Sequence, residues 1–279
     1  MNKSSKLGFS LIELSVVILV IGILVIGITQ GSRIISEAKL KSARALTISS
    51  PVNSNANLIL WLDSISEKSF DTNVANGSSV ATWYDLTNQN TTKNNATQVT
   101  PANQPVYTAK IINGMPALVF SSANSNFMSF DGTALVNKNY SIIVVEARSS
   151  SKNNNTFIGD SASNSFGIFL RYSSSAALRH SHGGAGTYTG VVDGYSSPIA
   201  RVLSFTYDGS NGVTYVNGLQ LTTGALSAVT SFANAAIGGF NGVGNYYDGG
   251  IGEVIIFNRL LKNSERQDIE NYLKQKWGI

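Results

Sequence analysis

Three groups of residues in this chain have types and spacings that chemistry can use. The first is Glu13, which stands in the run "GFSLIELSVVILVIGILVIGI" (residues 8–28) as the one charge between Lys6 and Arg33. A carboxylate well inside a bilayer costs about 2.5–3.5 kcal/mol on insertion scales, so its presence there asks for a purpose. Ser10-x-x-Glu13 also has capping-box spacing, in which Glu13 satisfies an N–H at a helix start. The second group is His180-x-His182, two imidazoles on one face of a strand and half of a zinc or copper site. No third ligand is near and Gly183-Gly184 follows, so a solvated strand end is expected there, not a metal centre. The third is Asp63, Asp71 and Asp85, whose oxygens suit Ca²⁺. No loop spaces its ligands alternately, and Asp85 after Trp83-Tyr84 is expected to tie a loop to the backbone. No resident metal or cofactor is therefore expected, with Ca²⁺ kept as the one candidate ion.

Other chemistries find less support. Glycoside hydrolysis needs two carboxylates about 5–9.5 Å apart across a cleft, and Glu253 in "GEVIIF" stands alone. The chain is accordingly expected not to be an enzyme. It has no cysteine, so disulfides, thiolate metal sites and a cysteine nucleophile are excluded. No glycine-rich loop follows the strand-then-helix order that phosphate binding requires. Sugar recognition uses exposed aromatics beside amides. Tyr188, Tyr195 and the loop "GFNGVGNYYDGG" (residues 239–250), with Asn241, Asn245, Tyr246, Tyr247 and Asp248, have that composition. Strand ends of an ordinary sandwich share it, because tyrosine buries its ring and wets its hydroxyl.

These residues must be positioned by an unusual chain. Its formal net charge is +4, and residues 1–49 carry all of it through Lys3, Lys6, Arg33, Lys39, Lys41 and Arg44 against Glu13 and Glu37. The rest is neutral, which excludes nucleic acid as a partner of the body on charge grounds. Charged residues are 13% of the chain, about half the usual share. As a helix, residues 9–28 rise about 30 Å, the thickness of a hydrocarbon core. A secretory signal has a shorter apolar run and a nearby small-x-small site. Here the first Ala-x-Ala is Ala43-Arg44-Ala45, too far downstream, so the segment is expected to be retained. The helix is expected to continue past Ile28, with Ile34, Ile35, Ala38, Ser42, Ala45 and Leu46 on one side. Pro51 ends it, and "SSPVNSNAN" (residues 49–57) serves as a linker. Short β-rich runs follow, among them "LILWL" at 58–62, "YSIIVVEAR" at 140–148 and "RVLSFTYDGSNGVTYVNGLQL" at 201–221. In the last of these, Asn217-Gly218 predicts a type I′ hairpin turn. A terminal helix starts at a Ser264/Gln267 capping box and carries the stripe Ile269, Tyr272, Leu273 and Trp277. It is expected to plug one edge or end of a sandwich.

The N-terminal run "GFSLIEL" resembles a type IV prepilin. The resemblance implies a leader (residues 1–8) containing Lys3 and Lys6, which a prepilin peptidase removes between Gly8 and Phe9 on the cytoplasmic side. It further implies N-methylation of Phe9 and an assembly contact between Glu13 and the Phe9 amine of a neighbouring pilin or pseudopilin subunit. In low dielectric such a pair compensates a charge that would otherwise be buried alone, and can set the stagger between subunits. Counting lysines and arginines places the C-terminal side in the cytoplasm, whereas the resemblance implies the opposite orientation. The family's helix often carries a kinking proline; here Gly22 and Gly27 are the interruptions.

The body is similar to a concanavalin A-like, laminin-G-like jelly roll of the bacterial type. The matching stretches are "WLD" at 61–63, "TWYDLTNQN" at 82–90, "INGMPALVF" at 112–120, "FTYDGSNGVTYVNG" at 205–218 and residues 249–279. Glucanases of that fold carry Glu-x-Asp-x-Glu on one strand, which is missing here. The two resemblances imply a mainly β protein: a long N-terminal transmembrane helix, then a β-sandwich jelly roll with a C-terminal helix. The divisions are 1–8 leader, 9–48 transmembrane and amphipathic helix, 49–57 linker and 58–279 jelly roll. The function implied is a prepilin-like filament subunit, a minor pilin or pseudopilin, whose head serves adhesion or binding. It would lie in the bacterial inner membrane before assembly, with the head in the periplasm or outside the cell, and in an extracellular filament afterwards. Surface pili, type II secretion systems and DNA-uptake machines all use such subunits. Common major pilins have an α/β roll and a C-terminal disulfide, and this chain has neither pattern. The alternative is a membrane-tethered module that binds glycan and never polymerises.

Overall fold

The computed structural model describes residues 11–71, 74–160, 167–183, 187–192, 194, 198–240 and 244–279. Helix α1 (Leu11–Ile48) opens the described chain. Its first part is leucine, isoleucine and valine without proline, and a helix satisfies every backbone N–H and C=O internally, as an apolar surrounding demands. Farther along, Arg33 and Glu37 pair one turn apart at 2.8 Å on its exposed surface. Ser49 and Ser50 follow, and Pro51 can neither donate an N–H nor let its predecessor stay helical.

The chain forms two compact units, Met1–Ser42 and Ala43–Ile279. The division falls inside α1, not after it. In the second unit Ala43 and Thr47 are buried one turn apart, while Ala45, expected on the packed side, is exposed. Thr47 Oγ1 donates to Asp63 Oδ2 at 2.9 Å, and Arg44 Nε donates to the Ile65 carbonyl at 2.9 Å. The expected linker at 49–57 is likewise corrected. Val52 is completely buried in a 3₁₀ turn, and Gln89 Nε2 donates to the carbonyls of Asn53 and Asn55. These backbone groups find partners in the head, so the segment is part of it.

The remaining strands are β1 (Leu58–Asp63), β2 (Thr82–Trp83), β3 (Ala96–Thr97), β4 (Val106–Ile112), β5 (Met115–Phe120), β6 (Met128–Phe130), β7 (Tyr140–Arg148) and β8 (Asn155–Asp160). They continue as β9 (Ile168–Ser174), β10 (Ala177–His182), β11 (Thr187–Val191), β12 (Ala200–Tyr207), β13 (Asn211–Val216), β14 (Leu219–Ala225), β15 (Ala235–Ile237) and β16 (Gly249–Phe257), before helix α2 (Asn263–Trp277). Among the described residues they make two antiparallel sheets. The first runs β14-β13-β12-β7-β16-β5-β4, with β1 also on β16, and the second runs β11-β10-β9-β8-β15-β6-β3-β2. The β13–β14 turn has Asn217 at φ +52° and Gly218 at +89°, the left-handed pair a type I′ turn needs. One core lies between the sheets, built from alternate residues such as Ile142, Val144, Leu170, Leu203, Phe205 and Ile256.

Helix α2 lies across the other face of the first sheet, which corrects the expected position at an edge or end. Its Arg266 guanidinium sits 3.6 Å over the Tyr215 ring of β13, Glu270 accepts from Ser204 of β12 at 2.6 Å, and Trp277 Nε1 donates to Glu253 of β16 at 2.9 Å. The expected stripe is buried, with Ile269, Leu273 and Trp277 fully so. The cap differs: Glu265 Oε2 accepts from the Lys262 N–H at 2.8 Å, two positions earlier than the predicted cap at Ser264. With the sheets on one side and α2 on the other, β7 and β16 are buried along their whole length.

β16 shares one edge end to end between β5 and β1, with a bulge at Gly252 where the partners change. A Cβ on Gly252 would stand 2.6 Å from the ring of Trp277. Gly252→Ala is therefore expected to cost about 1–3 kcal/mol by overpacking, read as a lower urea midpoint. An unchanged midpoint would show that the indole has room to move.

Candidate functional site

The processing residues Gly8 and Phe9 lie outside the described residues. Glu13 is in the first turn of α1 and exposed. From Leu11 to Ile28 the large apolar side chains are 49–85% exposed, and this is the one described helix long and apolar enough to cross a membrane.

The six expected ligand residues do not form one exposed surface. Tyr188 is buried between the sheets, its hydroxyl at His180 Nδ1 and 3.2 Å from Thr214 Oγ1. Tyr247 is fully buried and donates to Glu146 Oε2. Asp248 uses its carboxylate on the chain itself, accepting from the Ser122 N–H at 2.6 Å and the Ser122 hydroxyl at 2.9 Å. Tyr246 stacks on Phe127 with centroids 6.2 Å apart. Asn245 is half-buried, while Asn241 and Tyr195 lie outside the described residues. Tyr188 and Tyr247 are thus corrected to core residues, because their hydroxyls find partners inside.

The histidines also differ from expectation: His180 and His182 are 1% and 2% exposed, facing the core. Both Nε2 atoms meet the Tyr140 hydroxyl, His182 at 2.7 Å, and His182 Nδ1 meets the Ser227 carbonyl. Burial, with each ring adjacent to the other, holds the His180 imidazole well below its usual range, and burial lowers His182 as well. The acids expected as calcium ligands are dispersed. Asp85 Oδ1 accepts from the N–H groups of Trp61 and Thr87, both at 3.0 Å, as a loop tie; Asp71 accepts from the Tyr84 hydroxyl. Among the described residues no group of three or more potential ligands is gathered for a metal.

Glu253 does not stand alone. It and Asp63 each place an oxygen 2.7 Å from Lys276 Nζ, with both acids and the lysine side chain sealed from water. Trp61 Nε1 and Trp277 Nε1 donate to the same Glu253 carboxylate, at 2.8 and 2.9 Å. The two acids share one ammonium, and all three side chains are closed off from water. A small cleft of about 60 Å³ is lined by Arg44, Glu67, Phe70 and Tyr107.

The second sheet turns a different row away from the core. In register across four strands stand Thr156 of β8, Arg171 of β9, Arg179 of β10 and Thr189 of β11. Their chain neighbours Leu170, Tyr172 and Leu178 point into the core, so the arginines point out. Two positions along β9, Phe169 packs on Phe240 with centroids 4.8 Å apart. Sequence reading missed this row. The signal was present, since the short turn at Ser175-Ala176 within "RYSSSAALR" (residues 171–179) folds Arg171 opposite Arg179.

The model of the family described as "Concanavalin A-like lectin/glucanases superfamily" matches residues 122–265, and that of the "Prokaryotic N-terminal methylation motif" matches residues 3–29. No curated protein gives a match to the sequence. Among solved structures, the binding domain of Paraclostridial Mosquitocidal Protein 1 aligns with a TM-score of 0.52 at 14% identity, over 80% of this chain and 55% of that one. Trypanosoma rangeli sialidase in complex with the inhibitor DANA aligns at 0.48 and 16% identity, over 79% of this chain and 33% of the sialidase. The Ruminococcus gnavus IT-sialidase CBM40 aligns at 0.41 and 12% identity, over 50% and 89%. The chain thus spans about a third of the sialidase's length, and at 14% identity the likeness to the mosquitocidal protein's binding domain is one of fold.

Proposed function

Because the chain belongs to the concanavalin A-like lectin/glucanases superfamily and carries the prokaryotic N-terminal methylation motif, we propose that it is a prepilin-like filament subunit displaying a binding head. The observation that carries this reading is the apolar stretch of α1 at residues 11–28, exposed along its length and continuous with the methylation motif. Such a surface is stable in lipid as a single-pass anchor, or against copies of itself in a filament. In this reading prepilin peptidase cuts between Gly8 and Phe9, and Glu13 takes the Phe9 amine of a neighbouring subunit. The head is then carried to the periplasmic or outer side as a non-enzymatic glycan-binding module. The sealed Asp63–Glu253 pair supports the non-enzymatic part.

Intact mass and terminal sequencing of the protein from native membranes test the processing step. The expected chain starts at N-methylated Phe9; one starting at Met1 favours the tethered binder that never polymerises. Glu13→Val is expected to reduce incorporation into filaments at least tenfold while leaving the amount of folded protein in the membrane unchanged. Wild-type incorporation of that variant would reduce Glu13 to a helix cap.

A further inference from the structure

We infer that Arg171, Arg179 and Thr189 on the second sheet bind the carboxylate of an acidic sugar; this deepens the glycan-binding reading of the head and rests on it. Arg171 and Arg179 are direct cross-strand partners, an arrangement of like charges that destabilises a sheet. Among the described residues neither takes part in an ion pair. Both Nε–H groups are out of contact with water and lack an acceptor. The remainder of the row offers no negative charge, and the sequence at 161–166 and 184–186 contains no charged residue. Burial and the neighbouring Arg179 lower the Arg171 pKa, which agrees with two cations held together without an anion.

A carboxylate laid across the pair supplies acceptors to donors that have none, and cancels the repulsion in one step. Guanidinium forks suit that planar group, binding it through paired N–H···O contacts. The flanking Thr189 is exposed and provides a hydroxyl to a sugar, whereas Thr156 at the other end of the row is buried, its hydroxyl donating to the Asn154 carbonyl at 3.3 Å. Beyond them the half-buried Phe240 against Phe169 offers an apolar edge for a sugar ring. Two cations on a body without net charge suit one isolated carboxylate. A polyphosphate or polysulfate track needs a longer run of basic residues.

The test is titration of the full chain in detergent with oligogalacturonate, oligomannuronate and sialyllactose. Fully methyl-esterified oligogalacturonate and lactose serve as neutral partners, and sulfated dextran as a second anion. At least one carboxylated probe is expected to bind, with its neutral partner weaker by about tenfold or more, the worth of a charge-assisted contact. Arg171→Gln and Arg179→Gln are each expected to produce a similar loss. Equal binding of acidic and neutral probes, unaffected by either substitution, would leave the glycan-binding head standing and overturn this site. Preference for sulfated dextran, or binding of no carboxylated probe, overturns it too. A second readout needs no ligand: Arg179→Gln is expected to raise the urea midpoint of the free protein by relieving the repulsion. A lower midpoint would mean that the arginine already has a partner within the chain.

Discussion

Replacement of Lys276 by methionine is expected to destabilise the head by about 3–5 kcal/mol, the usual result of removing one member of a buried ionic cluster. Lys276 Nζ is shared by Asp63 Oδ2 and Glu253 Oε2 and lies 3.0 Å from the Tyr272 hydroxyl, with no part of this side chain in water. Without the ammonium two carboxylates face each other in the interior. Burial already raises the Glu253 pKa, with Lys276 pulling it down and Asp63 pushing it up. Loss of the lysine leaves only the two raising influences among these, so Glu253 is expected to take up a proton in the variant. The cluster joins four pieces of the head: Thr47 at the end of α1, Asp63 of β1, Glu253 of β16 and Lys276 of α2. Its loss should therefore loosen the seat of residues 43–48 as well as lower the urea midpoint. Adding Glu253→Gln to Lys276→Met is expected to recover part of the stability, since an amide is far less costly to bury than an unpaired carboxylate. A loss below about 1 kcal/mol for the single variant, a value ordinary for surface pairs, would show that water reaches the cluster.

That cluster also shows where sequence reading stops. The periodic elements were legible. The apolar stripe of α2, the left-handed Asn217-Gly218 turn and the long N-terminal helix each follow from local spacing. Lys276 and Asp63 are 213 positions apart, and no local pattern pairs them. Glu253 read as isolated because its partners come from the first strand and the last helix. His180-x-His182 was placed correctly on one strand face. Which face is decided by Tyr140, Tyr188 and Ser227, three partners from separate segments that allow imidazoles inside a sandwich. Tyr188 and Tyr247 failed for the same reason: composition cannot separate a wet tyrosine from one whose hydroxyl is satisfied internally. The segment at 49–57 has a linker's composition, yet it packs, because Val52 and the backbone of Asn53 and Asn55 find specific partners.

The second large effect is a loss of stability on mild acidification, and the hydrogen-bond chain around the histidines gives its sign. The Ser227 carbonyl can only accept, so His182 Nδ1 must carry a hydrogen. In the neutral ring His182 Nε2 then accepts, and the Tyr140 hydroxyl donates to it. Tyr140 oxygen in turn accepts from His180 Nε2–H, leaving His180 Nδ1 to accept from the Tyr188 hydroxyl, and Tyr188 to accept from Thr214. Every partner is used once, and an added proton on either ring sets two donors against each other. Both imidazoles are held below their usual range, chiefly by burial. Below about pH 6.5 the unfolded chain binds two protons that the folded chain refuses, so stability falls as pH drops from there toward the folded values. The slope approaches about 1.4 kcal/mol per pH unit for each imidazole, and vanishes above that range where both states are neutral. Glu146 works in the opposite direction. Its carboxyl is raised by burial against the lowering hydrogen bonds from Tyr172 and Tyr247, so the folded state takes up its proton first and gains stability as pH falls toward the ordinary glutamate range. The urea midpoint, followed by tryptophan fluorescence, should be level from pH 8 to 7 and fall steadily below 6.5. His180→Gln/His182→Gln should be less stable at pH 8 but lose that acid slope. Nitrogen-15 spectra at pH 7.5 should show a hydrogen on Nδ1 of His182 and on Nε2 of His180. A wild-type midpoint level from pH 7 down to 5, or the reverse tautomers, would mean that the rings are hydrated and the chain of donors is broken.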